Sequence, residues 1–268
     1  MSESNSPFAA ELRNVGVTYA GPTGREVLRA ISVTIERSEI VCIVGHSGIG
    51  KSTLIRCIAG LQVPTAGEIH IAGERILEPP ATLALVSQDY GRTLMPWLRI
   101  AENVRLPLRG HAIPRVEQDR RVASALSMVG LTGVERSYPW QLSGGMQQRV
   151  AIARALAYEP QVLLMDEPFA SVDAQTRGEL EDLLLTLQHE LGITVILVTH
   201  DVDEAVYLSD RVIVLGGRPA EVRDIITVGI TGRRDQITTK ADPVFLACRS
   251  KVLSEIQASK SEVAAPTT

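Results

Sequence analysis

Apolar and polar positions alternate in the first part of the chain with the two-residue period of β-strands. This pattern covers residues 11–19 and 28–35, and Gly21, Pro22 and Gly24 lie between them. It predicts two strands joined by a turn. Residues 40–44 differ because they are continuously apolar, which is typical of a parallel strand buried on both faces.

Strand and helix patterns alternate through the rest of the chain. Helical spacing is present at 51–59 and 178–191, and strands are predicted at 68–71, 83–87, 162–165 and 194–199. The strands at 162–165 and 194–199 are almost entirely apolar and flank the second helix. Buried strands that alternate with helices indicate an α/β protein with a mainly parallel sheet.

The segment from about 97 to 140 has a different sequence pattern. Residues 115–129 show helical spacing, and four prolines, Pro96, Pro107, Pro114 and Pro139, interrupt the segment. We expect a mostly helical insertion here.

The last part of the chain predicts one further helix. Pro243 favours a helix start, and Val244, Cys248, Val252 and Ile256 recur at helical spacing. Residues 255–268 are small and polar, so a flexible C-terminal tail is expected there.

Composition narrows the class of protein. The 268 residues are 45% hydrophobic and 22% charged, with a net charge of -4, which argues against nucleic acid as a partner. The ten N-terminal residues lack a basic segment followed by an apolar run, so no signal peptide is expected. The longest apolar runs are far shorter than the roughly 20 residues that cross a bilayer.

Residues 45–53, the phosphate loop, carry the first chemical motif, GHSGIGKST. The motif follows a predicted buried strand and precedes a helix, the context in which glycine-rich loops hold phosphates through their backbone N–H groups. Lys51 is expected to reach the outer phosphates, and Ser52 to bind Mg²⁺. A chance glycine-rich turn is the alternative, and the Lys51–Ser52 pair argues against it.

Two acidic residues follow the strand at 162–165. Asp166 is placed at the carboxyl end of the sheet, where it can hold Mg²⁺. Glu167, one residue further on, is the candidate general base for a water that attacks the γ-phosphate of ATP. An ordinary solvated strand end is the alternative, and the preceding apolar run and the phosphate loop argue against it.

Residues 142–149, the signature segment, read LSGGMQQR and lie just upstream of VLLMDEP at 162–168. This pair resembles the signature and Walker B motifs of ATP-binding cassette (ABC) ATPases. The resemblance implies that Ser143, Gly144 and Gly145 contact ATP bound to the opposite subunit of a homodimer. It implies a P-loop NTPase core with an N-terminal antiparallel β subdomain and a helical subdomain at about 97–150, all within a domain at 8–254.

Four further residues take roles from the same resemblance. Gln88 is similar to the glutamine that senses Mg²⁺ and the attacking water, and His200 to the switch histidine that contacts the γ-phosphate. Asp173 corresponds to the aspartate that crosses the dimer, although Val172 replaces the usual leucine before it. Tyr19 resembles the aromatic residue that stacks on adenine. The expected nucleotide contacts are therefore Tyr19, Gly45, His46, Ser47, Gly48, Ile49, Gly50, Lys51, Ser52, Thr53, Ser143, Gly144, Gly145 and Asp173.

The segment 88–106 resembles the part of transporter cassettes that receives a coupling helix of a membrane permease. Leu94, Met95, Trp97 and Leu98 are its apolar residues, which could instead pack the insertion. Together with residues 200–215, it resembles importer ATPases for nitrate, sulfonate and taurine. That likeness implies a peripheral protein on the cytoplasmic face of the inner membrane, fed indirectly by a solute-binding protein. A soluble ABC ATPase of DNA repair, translation or cluster assembly, and an exporter cassette, are the alternatives.

Overall fold

Two β-sheets and the helices around them form the computed structural model, which describes residues 6–21, 24–88 and 93–264. The first sheet is antiparallel and has the strand order β2-β1-β4-β5. Its strands are β1 (Phe8–Tyr19), β2 (Arg25–Glu36), β4 (Ala66–Ile71) and β5 (Glu74–Arg75). The alternating pattern therefore belongs to a sheet of its own at the N-terminal side.

The second sheet has the order β10-β9-β3-β8-β7-β6, and its strands are parallel except for the β9–β10 pair. It consists of β3 (Ile40–Val44), β6 (Leu83–Val86), β7 (Val162–Asp166), β8 (Thr194–Val198), β9 (Arg211–Gly216) and β10 (Glu221–Thr227). Because β3, β7 and β8 are adjacent and parallel, their carboxyl ends lie together at one edge. That edge carries the candidate site.

The helices with both ends inside the described ranges are α1 (Lys51–Ile58), α2 (Ile100–Arg105), α3 (Arg115–Met128), α4 (Gly144–Leu156), α5 (Ala174–Leu191), α6 (Val202–Leu208) and α7 (Pro243–Ala264). Helices α2, α3 and the start of α4 occupy the segment for which a helical insertion is predicted. Short 3₁₀ turns at Leu106–Leu108 and Pro139–Gln141 coincide with two of the prolines.

The central strand β3 separates two apolar cores. Val41 and Ile43 pack with the antiparallel sheet and α1, whereas Ile40, Cys42 and Val44 pack with the helices of the other side. All five are at most 2% exposed. Burying one such side chain stabilises the fold by roughly 1.5–3 kcal/mol, so this strand is a rigid base for the loop that follows it.

The structure differs from the sequence predictions most clearly in three regions. Helix α5 begins at Ala174 rather than at 178, because Asp173 caps its first turn. Strands β5, β9 and β10 have no counterpart among the predicted strands. The tail predicted from residue 255 is helical through Ala264, since Glu255 bonds Arg223 and Ser259 is buried beside Gly216.

Candidate functional site: a nucleotide cleft and a separate signature surface

The phosphate loop connects β3 to α1 and needs glycine at its end. Gly50 has a φ of +119°, and a Cβ placed on it would lie 3.0 Å from Val27 Cγ1 and Leu28 Cδ2. A larger residue would therefore be strained and would push on the antiparallel sheet. Ile49 is only 3% exposed, so its side chain anchors the loop to the core instead of facing the cleft.

Lys51, the first residue of α1, is held inside the loop. It is 7% exposed, and its Nζ donates to the carbonyl oxygens of Gly45 at 2.8 Å and His46 at 3.3 Å. Burial lowers the pKa of Lys51, and the charges of Glu167 and Asp166 oppose that shift. The cation thus lies within the loop whose backbone is expected to surround the phosphates.

Glu167 follows β7 in a left-handed conformation with a φ of +44°, and its N–H donates to Val198 O at 2.8 Å. A non-glycine residue in this conformation is uncommon and is often found at functional sites. Gln88 Nε2 donates to Glu167 Oε2 at 3.3 Å, and His200 Nδ1 lies 3.0 Å from the same oxygen. Three residues from three different strand ends therefore meet at one carboxylate.

Asp166 is the last residue of β7 and is half-buried. Burial raises its pKa, the neighbouring charge of Glu167 raises it further, and Lys51 lowers it. The carboxylate thus lies between an anion and a cation at the sheet edge. Ser52, the predicted partner for Mg²⁺, is exposed at the second position of α1.

A cleft of about 720 Å³ opens in front of the loop. It is lined by Tyr19, Arg25, Val27, Ser47, Gly48, Gly50, Lys51, Ser52, Thr53, Glu167 and His200. Among the predicted contacts in the phosphate loop, Gly45, His46 and Ile49 do not belong to this lining. Arg25 and Val27 were not predicted. The sheet register pairs Tyr19 with Arg25, a relation that becomes visible once the two strands are read as a hairpin.

Tyr19 is placed at one end of this cleft and is 42% exposed. Its hydroxyl is 3.2 Å from Thr53 Oγ1 and donates to Gln62 Oε1 at 3.1 Å. These contacts fix the position of the ring relative to α1. The face of an exposed, fixed aromatic ring is suited to stacking on a base.

Ser143 and Gly144 are exposed at the start of α4 and Gly145 is half-buried, and all three lie outside the lining of this cleft. Ser143 caps α4 by accepting from Met146 N at 3.3 Å, and Gly144 beside it is exposed. Asp173 caps α5 in the same way, accepting from Thr176 N at 3.0 Å and Thr176 Oγ1 at 2.7 Å. The hydrogen bonds from Thr176 lower the pKa of Asp173. Within one chain, Ser143, Gly144, Gly145 and Asp173 thus form a separate surface.

The apolar residues before α2 divide between core and surface. Leu94 is 1% exposed and belongs to the core, whereas Trp97 is 70% exposed. The buried amide of Asn103 holds the segment by accepting from Met95 N at 2.7 Å and donating to Leu98 O at 3.0 Å. The packing alternative thus applies to Leu94 and not to Trp97. Residues 89–92 of the predicted groove lie outside the described residues.

The chain matches the ABC transporter family over residues 28–170 and belongs to that family. It is 45% identical to an ABC transporter ATP-binding protein of Methanocaldococcus jannaschii, with 85% of this chain and 84% of the relative covered. The nitrate import ATP-binding protein NrtD of Synechocystis is 38% identical, covering 94% and 96%. The taurine import ATP-binding protein TauB of Escherichia coli is 40% identical, covering 89% and 94%.

Solved structures give the same assignment. The ATP-binding cassette MJ0796, a dimer bound to ADP and Pi, has a TM-score of 0.71 and 35% identity, covering 83% of this chain and all of that one. CbiO1 of Clostridium perfringens, part of an ABC transporter complex, has a TM-score of 0.75 and 27% identity, covering 96% and 98%. The predicted fold class and family are therefore confirmed. None of the helices in the described ranges is long and apolar enough to cross a membrane.

Proposed function

We propose that the chain hydrolyses ATP to ADP and phosphate and that this reaction drives a membrane permease. The convergence of Gln88, Glu167 and His200 beside the phosphate loop carries the proposal. Glu167 is the general base that takes a proton from the attacking water, and His200 and Gln88 position the groups around it. Lys51 stabilises charge on the outer phosphates.

The oxygen donors near the loop suit Mg²⁺, which binds carboxylate, hydroxyl and phosphate oxygens. Asp166 and Ser52 would hold the ion, and Gln88 would approach it from the end of β6. When bound, Mg²⁺ neutralises charge that develops on the transferred phosphoryl group. Phosphate release by the purified chain, measured with ATP and Mg²⁺, tests the proposed reaction, and a folded dimer without turnover would overturn it.

Each site in this proposal is built from two chains. The exposed signature surface supports this, because Ser143 and Gly144 do not line the nucleotide cleft of their own subunit. In a homodimer, these residues and Gly145 would complete the site of the partner, with Asp173 crossing between the chains. Closure of the dimer would then be required for hydrolysis, since preorganised donors supply much of the stabilisation in phosphoryl transfer.

We assign the ATPase domain to residues 8–254, with the helical subdomain at about 97–150. The segment that follows, from 255, continues α7 as far as Ala264. The core on one side of β3 also contains residues of this subdomain's helices, such as Ile100 and Leu126, which supports treating the two parts as one domain.

The partner in this proposal is a permease of a bacterial importer for nitrate, sulfonate, taurine or a similar small solute. The similarity to NrtD and TauB supports it, and a solute-binding protein would act indirectly, through the permease. The chain would then be peripheral, on the cytoplasmic face of the inner membrane. Isolation of a stable complex with ribosomes or DNA, and none with a permease, would favour the alternative of a soluble ABC ATPase.

Trp97 is our candidate for the permease contact, because a tryptophan that is 70% exposed presents a large apolar surface to solvent. Trp97→Ala should reduce solute uptake by the assembled transporter about tenfold while basal hydrolysis changes less than twofold, since hot-spot residues carry much of an interface. The matched control is Val116→Ala, an 82% exposed side chain on α3. Equal losses of uptake and hydrolysis would contradict the assignment.

A further inference from the structure

Within one chain, the first turn of α5 contacts both the signature segment and the loop that carries His200. It begins after Asp173 and includes Thr176 and Arg177, neither of which lines the nucleotide cleft. One of these side chains touches the signature segment, and the other binds the loop that carries His200. The turn therefore connects the signature segment physically to the loop that carries His200.

Thr176 makes the contact with the signature segment. A Cβ placed on Gly145 would lie 2.4 Å from Thr176 Cγ2, so the methyl group of Thr176 occupies the space beside the Gly145 backbone. The hydroxyl of the same side chain donates to Asp173 Oδ2 at 2.7 Å. Thr176 thus fixes a signature residue with its methyl group and the Asp173 carboxylate with its hydroxyl group.

Arg177 makes the contact with the switch loop, residues 199–201. Its Nη1 donates to Asp201 Oδ2 at 3.0 Å, and both side chains are half-buried. The other oxygen of Asp201 caps α6 by accepting from Asp203 N and Glu204 N at 2.9 and 3.1 Å. Because Asp201 directly follows His200, the position of His200 is tied to the first turn of α5.

We propose that Thr176 and Arg177 are positioning residues through which the switch loop of one chain sets the signature segment of that same chain. The inference rests on the proposed composite site, because that signature segment serves the partner's ATP. A displacement of Asp201 moves Arg177, and a single helical turn transmits it to Thr176 and Gly145, since packed elements do not deform continuously. The position of the switch loop at one ATP site is thereby conveyed to the partner's ATP site, which the signature segment of the same chain completes.

Mixed dimers with one working site test this inference. One chain carries Glu167→Gln, so only the other chain hydrolyses ATP, and the Glu167→Gln chain supplies the signature segment of the working site. Thr176→Ser removes the methyl group that touches Gly145 and keeps the hydroxyl group that holds Asp173. Placed in the Glu167→Gln chain, it should lower kcat about tenfold with little change in KM, as expected for lost transition-state stabilisation.

The same substitution in the hydrolysing chain should lower kcat less than about twofold, because that chain's signature segment serves the inactive site. Equal effects from both placements, or no effect from either, would overturn the inference. Arg177→Lys keeps the charge but loses the forked geometry. Because Arg177 also holds Asp201 beside His200 of its own chain, this variant should lower kcat from both placements. If Thr176→Ser fails to fold, as judged by thermal unfolding, Arg177→Lys keeps the test decisive, since an effect confined to the hydrolysing chain would overturn the connection to the signature segment.

Ser143→Arg in the same mixed dimers separates this inference from the proposed function. If Ser143→Arg acts only from the Glu167→Gln chain and Thr176→Ser acts equally from both, the composite site stands and the connection through α5 is wrong. If Ser143→Arg also acts equally from both chains, the composite site itself is wrong.

Discussion

The phosphate-loop side and the signature side of this chain are organised to different degrees. On the first, Lys51 is buried and bonded, and Glu167 is already in contact with Gln88 and His200. On the second, Ser143 and Asp173 cap their own helices and are exposed. The difference fits the proposed composite site, in which one subunit holds a nearly assembled half-site and its signature surface acts only with a second subunit.

Glu167→Gln should produce the largest effect, and it tests the phosphate-loop side. The amide keeps the size of the side chain but cannot accept the proton, so hydrolysis should fall by roughly 10²–10⁴-fold, the usual contribution of a general base. ATP binding should persist, and gel filtration with ATP should show a trapped dimer. A folded variant that stays monomeric with ATP would contradict the composite site.

Ser143→Arg should produce the next largest effect, on the signature side. The bulky cation replaces an exposed cap at the start of α4, so the partner's nucleotide could not be approached. Turnover should fall by about 10²–10³-fold, the loss typical of one preorganised donor, while ATP affinity of the monomer changes little. Ser143→Thr preserves the cap and is the matched control. Normal turnover by Ser143→Arg would refute the role of Ser143.

The phosphate-loop side was largely predictable from sequence, because it depends on elements that follow one another along the chain. An apolar strand, a glycine-rich loop and a helix follow one another directly, and parallel strands bring Asp166, Glu167 and His200 to one edge. The contact of Thr176 with Gly145 was not predictable, since it joins helices that are distant in sequence. Asp173 offered a local signal for the early start of α5, as an N-cap residue. The helical end of α7 depends on tertiary contacts with Arg223 and Gly216.

Tyr19→Ala should have a smaller effect, confined to the phosphate-loop side. Removing a stacking platform costs about 1–3 kcal/mol per base, so ATP affinity should fall about tenfold. Tyr19→Phe removes the hydrogen bonds to Thr53 and Gln62 but keeps the ring, so its affinity should stay within about threefold if stacking dominates. Nucleotide titration by calorimetry measures both, and equal losses would instead assign the role to the hydroxyl group.

Glu204→Gln should have the smallest effect on turnover and a distinct effect on stability. Glu204 is 4% exposed in the first turn of α6, directly behind the switch loop. Burial raises its pKa from the usual 4.5 to about 8, and the charges of Glu181 and Asp201 contribute to the shift. Its Oε1 has no hydrogen-bond partner among the described residues. The carboxyl group of Glu204 is therefore protonated at neutral pH and belongs to the phosphate-loop side.

The sign of the pH dependence follows from the raised pKa of Glu204. Between about pH 4.5 and 8 the folded chain keeps this proton and the unfolded chain has lost it, so the contribution to stability falls as pH rises through that window. Glu204→Gln should remove this slope and raise the free energy of unfolding at pH 8 by about 1–3 kcal/mol relative to wild type, with little gain at pH 5. Denaturant unfolding at the two pH values measures the difference, with the exposed Glu190→Gln as control. An unchanged slope in Glu204→Gln would mean that the switch loop does not rest on a protonated acid, and the phosphate-loop side would then be preorganised by hydrogen bonds alone.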